Sequence, residues 1–257
     1  MKKLALILVC LCPSTWGAIA FDAASQKSNT TAFFLSAPWQ VSWSHTCTGS
    51  NLVLSVEVVY QTSAGTDFTH ITGITYNSVA LTLASSATTT TGHVGTEIWY
   101  LKGPSTGANT VLATFAAPAA GNIGGMIGAI SLTGVDQTTP VDVSTNGAMA
   151  SATSNSLSAT TTKDNDWFVD SNYILNTNNM TSTSGTMRWG FIDTGDVAAS
   201  TASTRGPLTP PGSFSMGYSW TNASTSDFAV VAFMPVQAAA ATGAAYSKQN
   251  RIMKMEE

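Results

Sequence analysis

Charge, histidine and cysteine are all scarce in this chain. Only 9% of the 257 residues are charged, and there are three histidines and three cysteines. So little charge excludes the salt-bridged surface helices of an ordinary cytosolic enzyme. With 44% hydrophobic residues it also excludes a charge-swollen disordered chain. Glutamate is rarer still: before the last two residues only Glu57 and Glu97 occur. Basic residues are few. Residues 21–237 carry five (Lys27, Lys102, Lys163, Arg188, Arg205) against twelve acids, a balance of -7. That balance argues against nucleic acid and against anionic membrane as partners. Beyond the N-terminus no apolar run is long enough to span a bilayer, and none gives a membrane span.

What is present begins with an export leader. Lys2 and Lys3 form a basic start, Leu4–Leu11 a short apolar stretch, and Pro13, Ser14 and Gly17 break it. Ala18-Ile-Ala20 offers a small-residue cleavage site, so a signal peptide of residues 1–20 cut after Ala20 is expected, with the protein secreted or at the cell surface. Cys10 and Cys12 follow bulky residues, which disfavours lipid attachment. Their removal leaves Cys47 alone, so no internal disulfide is available. Cys47 then reads as a small buried hydrophobe, with a nucleophile or an intermolecular bridge as the sharper readings.

The rest alternates with period two. Val41, Trp43, His45 and Cys47 fall on one strand face. Leu52, Leu54, Val56, Val58 and Tyr60 fall on another. Thr96–Leu101 and Val111–Phe115 flank a Gly- and Pro-bearing turn and read as a hairpin in mid-sheet, with Thr96, Ile98 and Tyr100 opposite Glu97, Trp99 and Leu101. Ile123–Leu132 is apolar on both faces and glycine-rich, the mark of a buried central strand or a close sheet contact. Further strands are expected at 166–175, 186–194, 198–204, 214–220 and 227–236, with a polar stretch of low complexity at 146–156. About a dozen short strands without a convincing helix predict an all-β fold: an antiparallel β-sandwich of jelly-roll or lectin-like type over residues 21–237. Two Ig-like halves divided near 147–156 are the alternative. Residues 238–257, Ala-rich and then basic, form a short helix or a disordered tail.

Some of these segments resemble a known pattern. Ser44-His-Thr-Cys47 before Leu52–Val59, Ile71-Thr-Gly-Ile-Thr-Tyr-Asn-Ser-Val-Ala-Leu-Thr82, Glu97–Leu101, Pro104–Thr110 and Gly134-Val-Asp-Gln-Thr-Thr-Pro140 are similar to segments of uncharacterised secreted or phage-associated β-sandwich proteins of bacteria and metagenomes. The closing strand Asp227–Val236 is similar too. The resemblance implies the fold, the compartment, and loosely a role in attachment or adhesion. It carries over no catalytic residue.

Candidate chemistry is sparse. His45 and Cys47 lie two apart on one face and could pair or share a metal, but their face reads as core, and no further ligand spacing accompanies them or His70 and His93. Glu57 and Glu97 each interrupt an apolar strand. If their strands are neighbours and a groove opens there, the two would be candidate catalytic acids of a glycan-active hydrolase at roughly 5–10 Å separation. No G-x-S-x-G occurs. Asp164, Asp166 and Asp170 bring hard oxygen ligands close in sequence and are candidate Ca²⁺ ligands, with a polar strand-initiating turn as the simpler reading. Exposed tryptophans would serve sugar stacking. The expected function is therefore non-enzymatic attachment or recognition of a glycan or protein ligand. A structural subunit that self-assembles into a filament, lattice or virion is the second reading, through β-augmentation at strand edges. The glycan-active hydrolase is the third.

Overall fold

A computed structural model of the chain describes residues 18–27, 33–35, 37–62, 71–89, 94–117, 123–193 and 198–237. Residues 1–17 of the expected leader, His70, His93 and the tail 238–257 with its expected helix lie outside the described residues. Among the described residues sixteen strands follow in order: β1 (Ala20–Gln26), β2 (Phe33–Leu35), β3 (Gln40–Cys47), β4 (Val53–Thr62), β5 (Ile71–Tyr76), β6 (Val79–Ala80), β7 (Thr82–Thr89), β8 (Val94–Lys102), β9 (Gly107–Phe115), β10 (Ile123–Thr133), β11 (Val141–Thr160), β12 (Asp166–Ile174), β13 (Thr181–Ser182), β14 (Thr186–Asp193), β15 (Ala198–Leu208) and β16 (Ser213–Phe233). They form an all-β molecule of three antiparallel sheets. The central sheet runs β1-β10-β4-β8-β7 with β2 also on β10, a small sheet runs β3-β9-β5-β6, and a long-strand sheet runs β11-β16-β12-β15-β14 with β13 on β16.

The period-two pattern explains the stacking. On β4, Leu54, Val56, Val58 and Tyr60 pack with Val41, Ile74, Val111 and Phe115 of the small sheet. The alternate residue Val53 packs with Val169, Trp189, Val231 and Phe233 of the long-strand sheet. The central sheet is thus covered on both faces, and every residue of β10 up to Leu132 is buried. Gly128 on β10 is where the layers come closest. A Cβ there would lie 2.4 Å from Cε2 of Trp189, so the bare glycine makes the seat for the indole.

One expectation about connectivity is corrected. The hairpin of residues 96–115 does not form: β8 pairs with β4 and β7, while β9 pairs with β3 and β5 in a different layer. Gly103 and Gly107, at φ 58° and 89°, turn the chain from one sheet to the other instead of closing a two-strand ribbon. Each strand is nevertheless interior to its own sheet. The polar stretch 146–156 lies inside β11. β11 and β16 form a ribbon that folds back over the long-strand sheet. Within β16, Tyr218 and Phe228 meet edge to face at 5.6 Å between ring centroids. The fold-back occurs at irregular pairing: Ala152 is opposite Ser224, while Ser154 is already opposite Ser219. Beneath the returned ribbon, Met216, Tyr218 and Trp220 close a third apolar cluster with Phe168, Ile174 and Val230.

Candidate functional site

Glu57 and Glu97 do sit on neighbouring strands, but the register separates them. Glu57 is opposite Ile98 and Val58 is opposite Glu97, so the two carboxyls leave opposite faces of the central sheet. Both are buried, at 0% and 2% exposure, so neither lines an open groove. Glu57 faces the long-strand sheet and accepts a hydrogen bond from Trp189 Nε1 at 3.0 Å. Burial raises its pKa to about 8, with the nearby Asp170 adding to the rise, so the acid is held neutral. Glu97 faces the small sheet and accepts from Trp99 Nε1 at 2.7 Å and from the Tyr60 hydroxyl at 3.4 Å. A retaining or inverting pair needs both carboxyls on one substrate cavity. These two are divided by the sheet itself.

The three aspartates proposed for Ca²⁺ are likewise dispersed. Asp164 accepts from Thr209 Oγ1 at 2.7 Å at the surface. Asp166 is buried, and burial together with neighbouring Asp142 raises it to about 8. Asp142 in turn accepts from the Thr162 amide at 2.6 Å. Asp170 lies under the folded ribbon, accepting from the Ser203 amide at 2.6 Å, Ser203 Oγ at 2.8 Å and the Tyr218 hydroxyl at 2.8 Å. Burial raises it to about 7. Among the described residues no three His, Cys, Asp or Glu side chains are grouped to hold a metal ion.

A different constellation is built around His45, and only the histidine in it was singled out from the sequence. Trp43 Nε1 donates to Ser25 Oγ at 3.0 Å, which leaves the Ser25 hydroxyl to donate to His45 Nδ1 at 2.8 Å. Ser131 Oγ donates to Asp22 Oδ2 at 2.7 Å, so His45 Nε2–H donates to Ser131 at 3.1 Å. The Thr48 amide also donates to Asp22 Oδ2, at 2.9 Å. The chain ties β1, β3 and β10 together across two sheets. It contains serine, histidine and aspartate, but Asp22 holds Ser131 rather than the ring, so no carboxylate orients the imidazole toward Ser25 directly. Burial lowers His45 to about 4, with Asp22 opposing, so the ring stays neutral. Ser131 is 0% exposed, and burial pushes the neighbouring Cys47 thiol up, away from a reactive thiolate. The network crosses from the central sheet to the small sheet. Its partners lie in apolar strands far apart in sequence, where an isolated serine gives no signal.

The feature that faces outward lies on β14. This strand ends the long-strand sheet, paired only with β15 among the described strands. Beside it lies an open cleft of about 410 Å³, lined by Met180, Met187, Gly190, Ile192, Ala199 and Thr201 among others. Among the described residues no charged side chain lines it. Met187 is 43% exposed, one of few large apolar side chains so open among the described residues. Thr201 Oγ1 is already committed to Trp189 O at 2.9 Å. The sequence signal for this site is weak: Met187 and Gly190 look like ordinary residues of a short strand.

Comparison of the chain with protein-family models, with curated proteins and with solved structures gives no match.

Proposed function

We propose that this is a secreted, non-enzymatic β-protein used for attachment or recognition, and that its ligand is an extended segment of another protein. The observation that carries the reading is the outer strand β14 beside an uncharged, methionine-walled cleft. An incoming strand satisfies the unpaired backbone groups of such an edge, and a pocket beside it reads alternate side chains. Methionines adapt to apolar side chains of differing shape. The glycan reading has less support. A sugar-stacking platform needs an open aromatic face. Among the described residues, Trp39, Trp43 and Trp99 pack on one core and Trp167 on another, and no aromatic side chain is fully exposed. The hydrolase reading loses its ground with Glu57 and Glu97 on opposite faces.

Gly190→Val tests the proposal. A Cβ at Gly190 meets Met187 Cε at 3.4 Å and Thr201 Oγ1 at 3.6 Å, ordinary contacts, so a side chain starts from this exposed position on the cleft lining without its Cβ forcing the backbone. Binding to an array of extended heptapeptides with alternating apolar residues is expected for the parent protein and lost in the variant, with unchanged melting. Binding to a glycan array that Gly190→Val leaves intact would refute the reading. Concentration-dependent self-association abolished by the same variant would identify a second copy as the source of the strand.

A further inference from the structure

Residues Ala18–Phe21 contain the small-residue sequence expected to direct leader cleavage, yet they are built into the folded molecule. Ile19 is 5% exposed and belongs to the buried cluster of Val53, Leu132, Val135 and Phe233 between the central and long-strand sheets. Ala20 opens β1 and is paired with Thr133 of β10. Ala18 packs against Gly134: a Cβ on that glycine, whose φ is 74°, would lie 2.2 Å from the Ala18 carbonyl oxygen. Next along the strand, the Arg188 guanidinium sits 3.8 Å from the centroid of the Phe21 ring. Cleavage after Ala20 would strip one side chain from the core and remove the residue that pairs with Thr133.

We infer that the leader is removed by hydrolysis of the Gly17–Ala18 peptide bond, so that Ala18 is the first residue of the exported protein. Water supplies the hydroxyl to the new Gly17 carboxylate and the proton to the new Ala18 amino group. Gly17 and Thr15 provide the small residues that a leader peptidase reads one and three positions before its bond. Cleavage after Ala18 would place Trp16 at the outer of those positions, where a bulky ring does not suit. Ala18 is exposed, so the new terminus stays in water while Ile19 enters the core.

The inference rests on reading residues 1–17 as an export leader, and one experiment separates the two. The full chain is expressed in an exporting bacterial host, and the exported product is analysed by intact mass and N-terminal sequencing. A product beginning at Ala18 is expected. A product beginning at Phe21 overturns the assigned bond and keeps the leader. An unprocessed chain beginning at Met1 overturns the leader reading and the bond with it. Two variants sharpen the result. Gly17→Leu places a bulky residue at the assigned bond and leaves Ala18 and Ala20 in place, and it is expected to block or displace cleavage. Ala20→Leu damages the rival site alone and is expected to leave the Ala18 terminus unchanged. The reverse pattern would refute the assignment.

Discussion

At single positions the buried polar groups decide more than their number suggests. Glu57 is the clearest case. Its carboxyl is held neutral, and Trp189 Nε1 donates to one of its oxygens. Glu57→Gln keeps that acceptor and removes the ionisable proton. The variant is expected to match the parent at pH 5 and to exceed it in urea midpoint at pH 9, where the parent must bury a charge. A Glu57 that stayed ionised would show the opposite, a loss at both pH values. Ser131 makes a second test. Ser131→Ala leaves the Nε2–H of His45 without an acceptor and takes one donor from Asp22. A cost of about 1–3 kcal/mol follows from a buried donor left without a partner, seen as a fall of several degrees in melting temperature. A serine serving catalysis alone would leave the melting temperature where it was.

Among the elements, β10 shows how a strand's glycines are fixed by the layer above. Gly128→Ala drives a Cβ to 2.5 Å from Trp189 Nε1 and displaces the indole from Glu57. Overpacking of this kind costs about 1–3 kcal/mol. At Gly73 on β5 a Cβ meets nothing within 4 Å. Gly73→Ala is expected to be neutral or to stabilise by up to roughly 1 kcal/mol through the unfolded chain. Chemical denaturation of the two variants side by side checks the contrast. The crowding at Gly128 was partly legible, because an apolar strand rich in glycine signals a close sheet contact. Face assignment was legible wherever alternation ran unbroken: Val41 and Cys47 are buried in one cluster, and Ile98 lies opposite Trp99 across β8. Pairing was not legible. A Gly- and Pro-bearing turn after β8 serves a crossing between layers as well as a hairpin, and alternation alone does not distinguish them. The offset of one residue between Glu57 and Glu97 is set by the β4–β8 register, to which sequence is blind. The polar middle of β11 gives no strand signal because that strand borders its sheet and largely faces water, so no apolar alternation marks it. The cleft on β14 escaped for a related reason: it depends on what is missing beside an edge strand, and absence of a neighbour leaves no trace in composition.

In the whole molecule, the stacked sheets and the folded ribbon together force carboxyls into places where water cannot reach them. Glu57 and Asp166 are raised to about 8, and Asp170 and Asp227 to about 7, in each case first by burial. Asp227 has neither oxygen hydrogen-bonded. Each of these groups binds its proton more tightly in the folded state than in the unfolded chain. The stability they confer is complete below their ordinary values near 4 and is lost as pH rises through 7 to 8. His45 works in the other direction. Lowered to about 4, it contributes stability that is present above 6.5 and lost as pH falls toward 4. Four carboxyls oppose one imidazole across that shared window, so the carboxyls set the slope. At about 1.4 kcal/mol per pH unit for each titrating group, the fold is expected to be most stable near pH 4–5 and to weaken steadily toward pH 9. Urea midpoints measured at pH 5, 7 and 9 should therefore fall in that order. The decline should be shallower in Glu57→Gln, which removes one of the four titrations. A midpoint that is flat or rising from pH 5 to pH 9 would mean that these carboxyls are ionised within the fold, and that the layers open enough to hydrate them.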